Sequence, residues 1–300
     1  MQKITPHLWY DKEAKEAAEF YVSAFRQLGE VYGESKVQSV TVLHDTPSGD
    51  CDVVSFKLAG QDFMAISAGP LFKFNPSISF HVKCKTKEQV DSMWEKFSDG
   101  GKVLMELGEY PFSERYGWIQ DKYGLSWQII FTSGEIKQAI TPVIMYVQDV
   151  AGKAEEAINL YTSIFKNSKI NFIARYEKGE PDKEGTIKYA SFVLEEKEFG
   201  AMDSSAEHKF TFNEAISLIV KCENQEEIDY YWEKLAADPK GGQCGWTKDK
   251  YGVSWQITPS ILGEMLEDED KEKVSRVTEA FLKMKKFDIA KLKEAYERNS

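Results

Sequence analysis

The sequence has few cysteines and no motif that pairs them. Its four cysteines lie in a chain of 300 residues without a CxxC pair, so a site of closely spaced thiolates is not indicated. No apolar run approaches the roughly 20 residues that cross a bilayer, and the N-terminus lacks the apolar core of a signal peptide. These absences predict a cytoplasmic protein with no membrane partner.

The sequence also has fewer basic than acidic residues. There are 38 Lys and Arg against 49 Asp and Glu, a net charge of −11, which argues against nucleic acid and anionic membranes as partners. No GxGxxG loop follows a strand and no Ser or Cys stands in a GxSxG setting, so neither a nucleotide-type cofactor nor a nucleophile is indicated. The expected partner is a small molecule or another protein.

The chain does contain an internal repeat. GWIQDKYGLSWQ, which begins at Gly117, and GWTKDKYGVSWQ, which begins at Gly245, agree at nine of twelve positions. In both, a turn-like Asp-Lys-Tyr-Gly leads into a β-prone stretch. That stretch carries Gln128 in one copy and Gln256 in the other, and a polar amide at a repeated place on a strand is a candidate for a site.

Strand and helix patterns recur in the same order in both copies. Alternating stretches and helical spacings predict a βαβββ unit twice per copy, four in total. Fewer residues precede the motif in the second copy, so the copies should differ in one hairpin or edge strand. The composition becomes helical and charged from residue 261 onward. We therefore expect domains at 1–134 and 138–260 and a helical segment at 261–300 that packs on them.

Several strings point to a known family: ITPHLWYD, AAEFYVSAF, FKFNPSISFHVKC and QCGWTKDKYGVSWQITPSIL. With the tandem units, they resemble the vicinal oxygen chelate superfamily of glyoxalase I, bleomycin-resistance proteins and extradiol dioxygenases. More narrowly they are similar to its PhnB-like branch, often labelled 3-demethylubiquinone-9 3-methyltransferase. The resemblance implies an α+β fold in which the four βαβββ units form two half-open barrels, each with a concave cup for a small ligand or a metal, plus C-terminal helices. Relatives sometimes pair units between chains, so a homodimer is an open alternative.

The resemblance also implies where a site would lie. Metal-using members place His, Glu or Gln on the first and last strands of their units. Here Gln128 and Gln256 stand where Glu is usual, and no carboxylate occupies a ligand position in the first copy. The expected pocket residues are His7, Trp9, Ser77, His81, Gln128 and Gln256.

Two functions stay open at this point. His7, His81 and Gln128 are the candidate ligands for a divalent metal in the first domain, which would make a metal-dependent lyase, isomerase or dioxygenase. Two imidazoles and a neutral amide bind a divalent metal less tightly than two histidines and a carboxylate. The favoured prediction is therefore a pocket that binds a small, partly apolar molecule without a tightly bound metal or other cofactor, with no catalytic residue assigned.

Overall fold

The computed structural model describes residues 2–29, 32–46 and 48–298, so the outermost residues of the predicted 1–134 and 261–300 ranges lie outside it. The strands are β1 (Ile4–Tyr10), β2 (Lys36–Thr46), β3 (Gly49–Leu58), β4 (Gln61–Ser67), β5 (Ile78–Cys84), β6 (Lys102–Tyr110), β7 (Ser113–Gln120), β8 (Ser126–Phe131), β9 (Ile140–Tyr146), β10 (Lys169–Arg175), β11 (Ile187–Leu194), β12 (Lys197–Asp203), β13 (Ile216–Cys222), β14 (Trp246–Lys248) and β15 (Ser254–Pro259). The α-helices are α1 (Ala14–Arg26), α2 (Lys87–Ser98), α3 (Ala154–Ile164), α4 (Gln225–Leu235), α5 (Ile261–Leu266), α6 (Lys271–Leu282) and α7 (Ile289–Glu297).

The helices form where apolar residues recur on one face, and polar side chains cap the N-termini of α2, α4, α6 and α7. Helix α2 begins after Thr86, whose side chain accepts from the backbone N–H of Gln89. The Gln89 side chain in turn accepts from the backbone N–H of Thr86, which completes a capping box. Asn224 caps α4 in the equivalent place through the N–H of Glu227. Helices α1 to α4 pack against the sheets, and α6 lies between β2 and α7, so the α+β class predicted from the sequence is confirmed.

Each sheet draws its strands from both sequence repeats. The seven-stranded sheet runs β14-β15-β13-β1-β4-β3-β2, and the eight-stranded sheet runs β10-β11-β12-β9-β5-β8-β7-β6. In both sheets the strands of the two repeats meet in an antiparallel pair, which is β1 with β13 in the seven-stranded sheet and β5 with β9 in the eight-stranded sheet. Units one and four therefore share one sheet, and units two and three share the other.

The repeated Asp-Lys-Tyr-Gly turn is built around a buried carboxylate. One oxygen of Asp121 accepts from the backbone N–H of Tyr123 and Leu125, at 2.9 and 3.1 Å. The other oxygen accepts from the Tyr21 hydroxyl on α1 and the Trp127 indole on β8, at 2.7 and 2.8 Å. The motif thus fixes a turn, a helix and a strand to one another.

The same cluster recurs in the second repeat. Asp249 accepts from Tyr161 and Trp255 at 2.6 and 2.9 Å, and from the N–H groups of Tyr251 and Val253. The repeated motif therefore supports the fold in the same way in both repeats.

The two repeats differ at one sheet edge, as the shorter second copy predicts. In the first repeat β6 pairs with β7, whereas the described part of the second repeat has no strand between α4 and the short β14. The C-terminal segment takes that place. Backbone N–H groups of Cys244 and Gly245 donate to the carbonyls of Met284 and Lys285, at 2.8 and 2.7 Å.

The C-terminal helices also reach the opposite edge of the seven-stranded sheet. Helix α6 lies against β2, and Ser39 on β2 donates to Glu267, just after α5, at 3.0 Å. The tail therefore contacts β2 at one edge of that sheet and the residues just before β14 at the other, and the C-terminal helices predicted from the sequence are confirmed. Among the described residues, no helix combines the length and apolar character needed to cross a bilayer.

Candidate functional site

The helices cover one face of each sheet, and the candidate residues lie on the other. Trp127 packs against Phe25 of α1 and Phe97 of α2, and Trp255 packs against Tyr161 of α3. Because successive side chains of a strand point to opposite faces, the glutamine after each of these tryptophans lies on the face away from the helices. We call that face of the seven-stranded sheet cup A, with Thr5, His7, Trp9, Ser217, Trp246 and Gln256, and that face of the eight-stranded sheet cup B, with Ser79, His81, Tyr116, Gln128, Thr141 and Tyr189.

Cup A is centred on His7. This residue lies opposite Ser217 in the register of β1 and β13, and its ring meets the Trp246 ring edge-on, with centroids 5.5 Å apart. Trp9 lies 6.0 Å from Trp246 by ring centroids. The side chain of His7 is only 5% exposed, and its Nδ1 and the hydroxyl of Thr5 are buried without a hydrogen-bond partner.

Cup B is centred on His81. Its ring meets Tyr116 and Tyr189 edge-on, with centroids 6.5 and 6.2 Å away. Both ring nitrogens of His81 and the hydroxyl of Thr141, its cross-strand neighbour, are buried without a hydrogen-bond partner. The polar centre of each cup is thus surrounded by aromatic rings.

Both histidines are neutral at physiological pH. Burial lowers the pKa of His7 from 6.5 to about 3. Burial, together with the nearby positive charge of Lys83, lowers the pKa of His81 to about 3 as well. A neutral imidazole offers one N–H donor and one lone-pair acceptor, so each cup has unused hydrogen-bonding capacity in an apolar setting.

The two glutamines are fixed by serines on the neighbouring strand. Gln128 donates to Ser79 at 2.8 Å, and Gln256 donates to Ser217 at 2.9 Å. In cup B the amide oxygen of Gln128 also accepts from the Tyr116 hydroxyl at 2.8 Å. These amides therefore hold defined orientations.

Comparison with known proteins identifies the family. The sequence model of the 3-demethylubiquinone-9 3-methyltransferase family matches residues 2–130 and again residues 138–258. The chain belongs to this family. The PhnB protein from Bacillus cereus, which carries the same description, is 37% identical over 44% of this chain and 100% of its own, with a TM-score of 0.39.

Structures of glyoxalase I from Zea mays share the fold of this PhnB-like chain over both repeats. One is 12% identical and covers 77% of this chain and 78% of its own, with a TM-score of 0.50. A mutant of the same enzyme is 11% identical and covers 86% of this chain and 94% of its own, with a TM-score of 0.53. The resemblance to the vicinal oxygen chelate superfamily and its PhnB-like branch is confirmed. A search of curated proteins gives no match.

The structure does not bring the three proposed metal ligands together. His7 lies on β1 of the seven-stranded sheet, whereas His81 and Gln128 lie on neighbouring strands of the eight-stranded sheet. A single site made of all three side chains is therefore not what this PhnB-like chain contains. Strand pairing separates His7 from the other two side chains, because β1 pairs with β13 of the second repeat and not with β5.

The other predicted pocket residues divide between the two cups. Trp9 and Gln256 lie in cup A, although they come from opposite ends of the chain. Ser77 lies just before β5 on the side of cup B, and its hydroxyl donates to the carbonyl of Thr211 at 3.5 Å. Ser77 therefore supports a loop contact next to the cup.

Neither cup fits a divalent metal. Cup A offers one imidazole and one amide, and so does cup B, where both ends of the Gln128 amide already have partners. Asp203, the carboxylate that ends β12, accepts from the backbone N–H groups of Gly152, Ala154 and Ile187. Across the described ranges, no three His, Cys, Asp or Glu side chains group closely enough to hold a metal ion.

Several residues of the cups were not found by sequence reasoning. Tyr116, Tyr189 and Trp246 form the aromatic surroundings, and Thr5 and Thr141 supply the unpartnered hydroxyls. The threonines could have been found, because Ile-Thr-Pro opens the first strand of both repeats. Tyr189 could not have been found from the sequence, because it lies in cup B only through the pairing of strands from different repeats.

Proposed function

We propose that this PhnB-like chain binds a small, uncharged, partly apolar molecule in its cups without a tightly held metal. The observation that carries the proposal is the set of buried, unpartnered ring nitrogens of His7 and His81. A buried polar group without a partner costs about 1–3 kcal/mol, so such a group in a folded protein calls for an explanation. A ligand that hydrogen-bonds to the imidazole supplies one.

The surroundings support an uncharged ligand. Both imidazoles are neutral, because burial lowers their pKa to about 3. Lys83, whose positive charge helps lower the pKa of His81, is paired with Glu198 at 2.5 Å. Tryptophan and tyrosine rings form the walls, and an aromatic lining with a few polar groups is typical of small-molecule sites. Methyl transfer is not part of this proposal, because the chain has no GxGxxG loop after a strand.

The test is a thermal-shift screen of small aromatic and aliphatic compounds on the full chain, with hits confirmed by calorimetry. A ligand at 100 times its Kd should stabilise the fold by about 2.7 kcal/mol. His7→Ala and His81→Ala should weaken binding in their own cups. His44→Ala is the matched control, because His44 is exposed and paired with Asp50.

Elemental analysis of protein purified without chelator distinguishes the alternative. Binding without a metal predicts less than stoichiometric metal in the wild type. Stoichiometric metal that disappears in either histidine variant would overturn the proposal in favour of a metal-dependent lyase, isomerase or dioxygenase.

A further inference from the structure

The two cups differ in how far their own side chains satisfy one another. In cup B the Tyr116 hydroxyl donates to the Gln128 amide oxygen at 2.8 Å, and the Trp118 indole donates to the Ser126 hydroxyl at 2.7 Å. An acceptor and a donor on the surface of this cup are thus already used within the protein.

The equivalent groups of cup A are left without protein partners. Cys244 stands in the place of Tyr116, one residue before the repeated motif, and has no hydroxyl to offer. Ser254 hydrogen-bonds to the carbonyl of Asn213 at 3.4 Å instead of accepting from Trp246. Within the described ranges, no group donates to the Gln256 amide oxygen and none accepts from the Trp246 indole N–H.

The C-terminal segment accounts for this difference. The backbone N–H groups of Cys244 and Gly245 donate to the carbonyls of Met284 and Lys285. Cys244 and Gly245 themselves have positive φ angles, 51° and 78°. Strand β14 therefore starts only at Trp246. Residue 244 lies outside the strand, so its side chain does not take the position that Tyr116 has on β7.

Trp246 and Gln256 are direct cross-strand partners on β14 and β15. Side chains in such a pair have Cβ atoms about 4.5–5.5 Å apart, so a donor and an acceptor stand side by side. Gln256 is 8% exposed, and the donation of its amide nitrogen to Ser217 turns the oxygen away from that serine. The neighbouring His7 is neutral and has its own unpartnered Nδ1.

We propose that cup A selects its ligand through this pair, with Gln256 as acceptor and Trp246 as donor. The ligand class is a flat, uncharged molecule with a hydrogen-bond donor beside an acceptor, as in a carboxamide or lactam. The inference rests on the proposed function and adds the substrate class and the selective cup. Cup B does not make this selection, because its Gln128 oxygen already accepts from Tyr116 and its Trp118 indole already donates to Ser126.

The probes are benzamide, which has a donor beside an acceptor, and acetophenone, a molecule of similar size with the acceptor alone. Each is titrated into the full chain by calorimetry and by NMR of the indole N–H resonances, where Trp246→Phe assigns the Trp246 signal. Wild type should bind benzamide roughly 2 to 13 times more tightly than acetophenone and shift that signal. Acetophenone still accepts from Trp246 but cannot donate to Gln256, so it loses one hydrogen bond, which contributes about 0.5–1.5 kcal/mol, a factor of roughly 2 to 13.

Three variants locate the selection. Gln256→Met should reduce the preference for benzamide to less than twofold, whereas the matched Gln128→Met should leave it unchanged. Trp246→Phe removes the hydrogen bond that both probes accept, so it should weaken the binding of both by a factor of roughly 2 to 13 and leave the preference in place. Tyr116→Phe frees the Gln128 oxygen and should add a weaker second benzamide site. Melting temperatures establish that each variant is folded, and if Gln256→Met does not fold, the weaker binding of both probes to Trp246→Phe, a change at a partly exposed residue, tests the pair.

The outcomes separate this inference from the proposed function. Equal affinity of wild type for the two probes would overturn the inference and leave binding in the cups standing. Loss of the preference in Gln128→Met, with retention in Gln256→Met, would also overturn it, because the selective cup would then be cup B. Failure of the wild type to bind either probe or any compound of the screen would overturn both.

Discussion

Replacing Asp121 with asparagine should destabilise the fold by about 2–4 kcal/mol. The carboxylate accepts four hydrogen bonds, two on each oxygen, and it is 3% exposed. An asparagine keeps one oxygen for the backbone of the turn and turns its NH₂ group toward the Tyr21 hydroxyl and the Trp127 indole N–H. Two buried donors then lose their acceptor, at about 1–3 kcal/mol each. Burial raises the pKa of Asp121, so removal of the charge offsets part of this loss.

Urea unfolding followed by circular dichroism measures the effect as a shift of the midpoint at constant m. Asp249→Asn should lose a similar amount, because its four hydrogen bonds are equivalent. Asp91→Asn is the control: Asp91 is half exposed and pairs with Arg115 at 2.7 Å, so it should change stability by less than about 1 kcal/mol. A loss below 1 kcal/mol for Asp121→Asn would refute the role of the buried carboxylate as the centre of the motif.

Two further predictions concern acid stability and the C-terminal segment. In the unfolded chain His7 and His81 protonate near pH 6.5, but in the folded chain their pKa is about 3. Between these pH values the unfolded state binds more protons than the folded state, so the free energy of unfolding falls as the pH falls. His7→Gln and His81→Gln should each flatten the slope of unfolding free energy between pH 4 and 6 by about 1.4 kcal/mol per pH unit, and unchanged slopes would contradict neutral histidines. Gly245→Ala should speed amide exchange in 284–287, because a Cβ there would lie 2.4 Å from the Phe287 ring at a φ of 78°. Gly263→Ala has open space around the new methyl group and should leave that exchange unchanged.

Periodicity predicted the elements of this fold well, because each helix and strand has a face that its own sequence marks. The βαβββ order predicted for each copy is the order of the first unit, where β1, α1, β2, β3 and β4 follow one another. The β-prone stretch that follows the repeated turn and carries Gln128 is β8. These are local properties, which depend on neighbours along the chain.

Strand partners could not be predicted in the same way. The pattern of β1 shows which side chains share a face, but the strand has the same pattern whether it pairs with β5 or with β13. The two histidines were therefore assigned to one site, although they lie in different sheets. The segment at Met284 and Lys285 was missed for a related reason: it bonds to the edge next to β14 through backbone carbonyls, which no side-chain pattern records.

The pairing between repeats explains why the expected metal ligands are divided. In each sheet the first strand of one repeat lies beside the fifth-strand equivalent of the other, so β1 meets β13 and β9 meets β5. Two copies of the first repeat, paired in this way, would place His7 of one copy in the same cup as His81 and Gln128 of the other. The second repeat has Val143 and Ile219 at the two histidine positions, so each cup keeps a single imidazole beside its glutamine. Because the duplicated positions are encoded separately, one chain can hold two cups with different chemistry, which two identical half-length chains cannot.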